Sequence, residues 1–579
     1  MALGRSGCRG LLTPVLNSPL RQPAADSGNG VPVVRTASGD VRGTVQHTND
    51  LPDKPVYSFL GIPYAAPPVG DLRFRTPQPV APWKGVRNAT RLGPYCPQGP
   101  SMLYILPFQL QHHDFDEDCL TLNVETPTVA NDTRLPVLLW IHGGSFQIGT
   151  GRPQPFAAMA AHQDVVVVTI NYRLGALGFL STGDENAPGN FGFLDQIQAM
   201  TWVKENIRNF GGDPDRVTLF GESAGAMSVC YHVVSPLCKG LFRRAISQSG
   251  TCNSFGTIIK PLGVATTLAE AVGCDGKDTG SMVSCLRQKP ADELVGAQQD
   301  VIKSSMWDSF GPVVDGSFLP AHPDDLYDRG RAHPVDYLLG VTNDEFGSLL
   351  ASLVEPKFGQ GMTEDTFNRH LKALIGGLYP SSHTASIVAA ARQLYRDQDK
   401  PDDPMAIQRQ FSNFYGDWMF VAPTVDTANR HAASGSKAYL YEYHYPPAFA
   451  SAVRPGWMGA DHSDDVFMVT GWPFLDVPLS TRMGEGGGLL PFSSEDRKVS
   501  GDIMAYWANF ARTGNPSDRT GGPADSPTVP EWPRYTPDSP AYMNLGLTSS
   551  ADVGLHPDRV ALWNDVIPEM IASSKKYEL

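Results

Sequence analysis

The chain has 579 residues, beyond the roughly 250–300 at which a single core stops growing, so it folds as two domains or as one enlarged by insertions. Hydrophobic residues at 41 % against 18 % charged exclude a disordered chain and supply a sizeable core. A net charge of −14 with no Lys/Arg-rich block removes the attraction on which nucleic-acid and anionic-membrane binding depend, so neither partner is expected.

Residues 1–30 carry Arg5 and Arg9 but only a broken apolar stretch, Leu11-Leu12-Thr13-Pro14-Val15-Leu16. That is a poor signal-peptide core, and the segment reads as an atypical or missing leader. Val33–Thr36 and Val41–Val45 read as strands about Ser38-Gly39-Asp40, an opening antiparallel hairpin. From there to Pro100 the chain is rich in Pro and Gly and is expected to be mostly irregular. Val137–His142, Val165–Asn171 and Val217–Phe220 are short, β-rich and nearly continuous in apolar residues. Strands buried on both faces of a mostly parallel sheet have that character.

Between the second and third of these, Leu194, Ile197, Met200, Val203 and Ile207 recur at helical spacing, and Gly211-Gly212 ends the helix. Strand, helix, strand is a βαβ unit, and the fold class follows as α/β. No internal repeat is present, and the glycine run Gly484 to Gly488 reads as a surface loop. No apolar run approaches the ~18–20 residues of a membrane span, so a soluble chain without a transmembrane segment is expected. Eight cysteines are too few for a disulfide-built scaffold and lack paired C-x-x-C spacing, so no metal site is expected. Asn88-Ala89-Thr90 and Asn131-Asp132-Thr133 make Asn88 and Asn131 candidate glycosylation sites. The final Lys576-Tyr577-Glu578-Leu579 is close to the K-D-E-L address, and residues 576–579 read as an endoplasmic-reticulum retention tail.

Gly221-Glu222-Ser223-Ala224-Gly225 stands directly after the strand 217–220 and before a helix-compatible stretch, Ala226–Val234. An ordinary strand-to-helix turn gives the same residues. A nucleophile elbow requires this context, because small neighbours permit the sharp turn that lifts a serine hydroxyl clear of the sheet. A serine hydroxyl is a weak nucleophile, so it needs a base to take its proton and donors to hold the negative charge on the substrate oxygen. His142-Gly143-Gly144-Ser145-Phe146 follows a strand and matches the glycine-rich loop that supplies such donors, with the N–H groups of Gly144, Ser145 and Ala224 as candidates. Ser145 stands where a third glycine is usual, and its side chain is placed to narrow an acyl pocket. His142 reads as structural.

With a serine elbow the order along the chain is Ser, then Asp or Glu, then His. Beyond residue 350 lie histidines 370, 383, 431, 444, 462 and 556; only His462 sits in a turn-like acidic segment, residues 459–465. Asp344 and Glu345 follow the apolar Tyr337-Leu338-Leu339, as a loop at a strand's C-terminal end does. Spacing leaves those two carboxylates tied and His462 only modestly ahead of the other five.

The segments Phe210–Gly225 and Glu117–Val124 resemble the two signatures of the type-B carboxylesterase and cholinesterase family. The resemblance extends through Phe59–Ala65 and Asn171-Tyr172-Arg173 to Tyr506–Pro516, and covers roughly residues 31 to 570. It implies an α/β-hydrolase domain over residues 31–575, a central mostly parallel sheet flanked by helices with large insertions. By the same resemblance Glu345 is the triad acid, matching Glu-Phe-Gly, and His462 the base, matching Asp-His-x-Asp-Glu with Asp465 in the last place. The family also implies disulfides Cys96–Cys119 and Cys274–Cys285, and leaves Cys8, Cys230, Cys238 and Cys252 unassigned. In liver-type members a C-terminal x-x-Glu-Leu retains the enzyme in the endoplasmic reticulum lumen, which Tyr577-Glu578-Leu579 resembles; that lumen, or secretion, is the expected location.

Members that are cholinesterases grip the quaternary ammonium with a tryptophan in the first disulfide loop. Pro97 to Asp118 contains none, so choline esters are disfavoured. Its apolar residues Met102 to Phe108 line a pocket mouth or pack as core, two readings of equal weight. Other members are adhesion proteins with a broken triad, whereas Ser223, His462 and Glu345 are all present here. The expected function is hydrolysis of broad, largely apolar carboxylic esters through an acyl-enzyme, with a small ester and water as partners and no metal or organic cofactor. The alternatives are a cholinesterase and a non-catalytic adhesion or binding protein.

Overall fold

The computed structural model describes residues 31–99, 115–151, 156–254, 261–304, 310–451, 454–475 and 491–575. Residues 1–30, residues 100–114 of the first disulfide loop, the glycine run 484–488 and residues 576–579 lie outside these described residues.

The strands are β1 (Val33–Thr36), β2 (Gly39–Arg42), β3 (Thr44–Gln46), β4 (Val56–Pro63), β5 (Val86–Asn88), β6 (Thr121–Thr126) and β7 (Leu135–Ile141). They continue with β8 (Val166–Ile170), β9 (Gly212–Glu222), β10 (Arg244–Gln248), β11 (Asp336–Thr342), β12 (Ala438–Tyr443), β13 (Ala541–Leu545) and β14 (Ser550–Val553). Among the described residues β1, β2 and β5 form a small sheet, and the rest form one large sheet in the order β14-β13-β12-β11-β10-β9-β7-β8-β6-β4-β3. Its middle, from β13 to β8, is parallel throughout; β14 on one side and β6, β4 and β3 on the other run antiparallel.

Helices cover both faces. Val137, Leu139 and Ile141 of β7 pack in one cluster with Val203 and Val229 from the helices Phe191–Asn206 and Ala224–Val234. The alternating Leu138 and Trp140 pack in the other with Ile503 and Trp507 from the helix Ser494–Thr513, whose start carries a Ser493/Asp496 capping box. Burial on both faces explains why β7 and β8 read as continuous apolar runs rather than as alternating ones.

The opening hairpin is present, but its second strand is split at Gly43. A Cβ there would stand 2.6 Å from the carbonyl oxygen of Ser58, so glycine lets the chain pass from the small sheet to the edge of the large one. The stretch to Pro100 is more regular than its composition suggests, because β4 is eight residues long and pairs with β6. A register shift between Phe59 and Ile62, with Gly61 at φ +69°, breaks the two-residue period that would have revealed it. The helix begins at Phe191, where Asn190 turns the chain at φ 58°, and it stops at Asn206. A 3₁₀ turn, Ile207–Phe210, and Gly211 at φ 81° follow it, while Gly212 already belongs to β9.

The disulfides Cys96–Cys119 and Cys274–Cys285 are formed. A third, Cys230–Cys252, ties the helix Ala224–Val234 to the loop after β10. Cys238 is buried and outside any disulfide. Among the described residues no helix is long and apolar enough to cross a membrane.

Candidate active site

The C-terminal ends of β7, β9, β11 and β12 feed one edge of the sheet, the place where open α/β sheets form their crevices. At the end of β9, Ser223 takes φ 55° and ψ −125°, and the helix Ala224–Val234 starts on the next residue. A backbone of that kind stores on the order of 1–3 kcal/mol of strain and persists only where its surroundings enforce it. A Cβ on Gly225 would stand 2.0 Å from the Ile141 carbonyl oxygen, and one on Gly221 would stand 2.7 Å from the same atom. The two glycines therefore let the helix begin against β7. The Ser223 N–H donates to the Gln248 carbonyl at the end of β10 (2.9 Å), and the Ser223 side chain is half-buried between buried Glu222 and Ala224.

Beyond β7, Gly144 (φ 106°), Ser145 (φ 55°) and Phe146 (φ 61°) make a tight loop. A Cβ on Gly144 would meet the Ile148 carbonyl oxygen at 2.2 Å, so only glycine fits. The Gly144 carbonyl accepts the N–H groups of Gln147 (2.9 Å) and Ile148 (3.0 Å). The N–H groups of Gly144 and Ser145 have no partner among the described residues, and neither has that of Ala224, in the first helical turn where no intrahelical acceptor exists. The loop lies against the elbow, since a Cβ on Gly143 would come within 3.0 Å of the Ser223 Cβ. Ser145 is exposed, and Phe146 is buried against Phe179 and Phe193. His142 contacts the Gly143 carbonyl through Nδ1 (2.8 Å) and stacks on Tyr172; burial pushes it down to about 4, so the ring is neutral.

Glu345 follows β11 and His462 follows β12. Nδ1 of His462 lies 2.6 Å from Oε2 of Glu345, whose Oε1 accepts the Thr342 N–H at 2.8 Å; both side chains are buried. The carboxylate of Asp344 instead accepts the Gly459 N–H at 2.5 Å. Geometry thus separates two carboxylates that spacing leaves tied. The other five histidines are engaged elsewhere: His370 with Glu355, His383 with Ser382, His431 with the Val335 carbonyl, and His444 and His556 with Glu442.

On its other side, Nε2 of His462 stands 3.1 Å from Oε1 of Glu222, which also accepts the Ser463 hydroxyl. Burial pushes the Glu222 carboxyl up to about 7. Burial alone would lower His462, but the Glu222, Glu345 and Asp461 carboxylates outweigh it and raise the imidazole to about 9. Asp465 accepts the Gln248 amide and the Tyr441 hydroxyl, each at 2.9 Å, and burial raises it to about 6. Gln248 therefore touches both halves of the site, holding the Ser223 N–H through its carbonyl and Asp465 through its side chain. Sequence reasoning passed over Glu222 as the variable position of its motif and gave no role to Gln248; no local signal marks either. Asn88, in β5, and Asn131, in the turn after β6, are both exposed.

A profile of the carboxylesterase family matches residues 30–563. The liver carboxylesterase of Sus scrofa is 37 % identical over 585 residues, covering 97 % of this chain and 98 % of its own. The acylcarnitine hydrolase of Mus musculus is 36 % identical over 558 residues, covering 95 % and 94 %. Carboxylesterase 1D of Rattus norvegicus is 38 % identical over 556 residues, covering 92 % and 93 %.

Proposed function

The chain belongs to the carboxylesterase family and is a carboxylic-ester hydrolase of the α/β-hydrolase fold, and on that premise we propose that Ser223 is its nucleophile, His462 its general base and Glu345 the acid that orients His462. The observation that carries the assignment is the 2.6 Å contact between His462 and Glu345, with Nε2 of His462 3.1 Å from Glu222, the residue before the strained Ser223. Residues 31–575 form one hydrolase domain in this reading.

In the cycle, neutral His462 takes the Ser223 proton as the hydroxyl attacks the ester carbonyl, and the resulting oxyanion rests on the N–H groups of Gly144, Ser145 and Ala224. Those N–H groups have no partner among the described residues, which leaves them free to donate to the oxyanion as charge develops. His462 then protonates the leaving alcohol, and the bond from the carbonyl carbon to the alkoxy oxygen breaks. Water, deprotonated by His462 in turn, attacks the acyl carbon; the bond to the Ser223 oxygen breaks, His462 returns the proton to that oxygen, and the acid leaves. His462 passes on each proton that it takes and ends neutral, so the cycle balances without a metal or organic cofactor.

The substrates we assign are broad, largely apolar esters, because Pro97 to Asp118 offers no tryptophan to a quaternary ammonium. Hydrolysis of p-nitrophenyl acetate and butyrate beside acetylthiocholine, with and without an organophosphate, tests this. Inhibitable aryl-ester activity with little choline-ester activity is expected; preference for acetylthiocholine would replace the assignment with a cholinesterase, and no hydrolysis at all with a binding protein. Three disulfides and the exposed Asn88 and Asn131 support residence in the endoplasmic reticulum lumen or secretion, where thiols oxidise and such asparagines are glycosylated. Removal of N-glycans by a glycosidase should therefore lower the apparent mass of the protein made in animal cells.

A further inference from the structure

The loop that carries Glu345 and the loop that carries His462 are joined twice. Near the sheet, the Asp344 N–H donates to the Ala460 carbonyl (3.0 Å), the Ala460 N–H to the Asn343 side chain (2.8 Å) and the Gly459 N–H to the Asp344 carboxylate (2.5 Å). Farther out, one side chain accepts four backbone N–H groups. Oδ1 of Asp461 accepts the N–H groups of Gly347 (3.2 Å) and Ser348 (3.2 Å), and Oδ2 accepts that of Leu349 (2.9 Å). Oδ1 also accepts the N–H of His462 itself at 2.9 Å. The carboxylate is fully buried, with Arg454 at 3.8 Å as its counter-charge. Arg454 grips Asp464 as well (3.0 Å to Oδ1), and Asp464 in turn accepts the Asp461 N–H at 2.8 Å.

Stability alone does not call for a charge here. Burying a carboxylate costs several kcal/mol before its partners offset it, and neutral or apolar replacements of buried ion pairs are often no less stable. The contacts need a group that only accepts: all four backbone partners are donors, and an amide would set its own NH₂ against at least one of them. The bridged segments lie two to four residues after Glu345 and at His462, so slack in the bridge passes directly to their contact.

We infer that Asp461 is a positioning residue for ester hydrolysis, its carboxylate clamping the loop behind Glu345 to the backbone of His462 and so setting the Glu345–His462 contact. The inference rests on the assignment of Ser223, His462 and Glu345 given above. Gly347 is part of the same device, since a Cβ there would press on Oδ1 of Asp461 at 3.2 Å and on the Asp344 carbonyl oxygen at 2.9 Å.

The test compares Asp461→Asn, Gly347→Ala and Ser223→Ala in the full chain on p-nitrophenyl butyrate, with active sites counted by exhaustive fluorophosphonate labelling in the first two and folded Ser223→Ala measured by circular dichroism. Misplacement by an ångström costs up to about 100-fold, so kcat per counted site should fall by about 10- to 100-fold in Asp461→Asn while KM changes little. The acidic limb of kcat/KM should also move to lower pH in that variant, because one of the carboxylates facing His462 is gone while Glu222, Glu345 and Asp465 remain. A merely structural role would lower the number of sites and leave both readings alone, and that result overturns the inference. If Asp461→Asn does not accumulate as folded protein, the same fall in kcat is required of Gly347→Ala with the limb unmoved, and an unchanged kcat there overturns it. Hydrolysis persisting in Ser223→Ala would instead overturn the triad on which the inference rests.

Discussion

Nδ1 of His462 lies 2.6 Å from Oε2 of Glu345 across 117 residues of chain. The contact holds the Nδ1 side of the ring on the Glu345 carboxylate and leaves Nε2 to face Glu222 of the elbow. Glu345→Gln is expected to keep the fold, lower kcat by about 100- to 10,000-fold and leave KM nearly unchanged, since an amide can hold the ring in the wrong tautomer. Steady-state kinetics beside circular dichroism checks this.

The second carboxylate on the ring, Glu222, predicts a pH effect. His462 works as a base only when neutral, and the anions around it favour its protonated form, raising it to about 9 against the opposing effect of burial. Activity should therefore rise with pH along a limb set above the ordinary imidazole range. Glu222→Gln removes the charge 3.1 Å from Nε2, so the limb should move to lower pH. A limb that stays in place would show that Glu222 does not face the titrating base.

Ser145 contributes an N–H to the oxyanion, not a hydroxyl, in this account. Ser145→Gly keeps that donor and suits φ 55° without the crowding a Cβ suffers there. Hydrolysis of p-nitrophenyl acetate should stay near its original rate, while branched acyl esters gain relative to it as the side chain is removed. A large loss on both would mean that the hydroxyl itself takes part.

Local sterics were the legible part of this molecule. Gly221 and Gly225 flank Ser223 because the Ile141 carbonyl leaves no room for a Cβ, and that demand is written into five consecutive residues. The strands β7 and β8 and the stretch Val217–Phe220 of β9 were legible because burial on both faces makes them nearly continuous in apolar residues, whereas the polar start of β9, Asp213 to Arg216, hid its beginning. β4 was not, because its irregularity at Gly61 erases the alternation. Asp344 and Glu345 are neighbours in one loop, and what tells them apart is the position of Gly459 and His462 more than a hundred residues later. Resemblance favoured Glu345, which is the residue in contact with His462, but the contacts of Glu222, Gln248 and Asp461 arise only when distant loops meet. Cys230 and Cys238 could not be ranked by spacing as partners for Cys252; the helix Ala224–Val234 brings Cys230 to it.

The most direct measurement is hydrolysis of p-nitrophenyl butyrate by the unaltered chain and by Ser223→Ala at equal folded concentration, with fluorophosphonate labelling mapped by mass spectrometry. The account predicts label on Ser223 and a loss approaching ~10⁶-fold in kcat when its hydroxyl is removed. Sustained hydrolysis by a clean Ser223→Ala preparation, or label on another residue of the active protein, would contradict it.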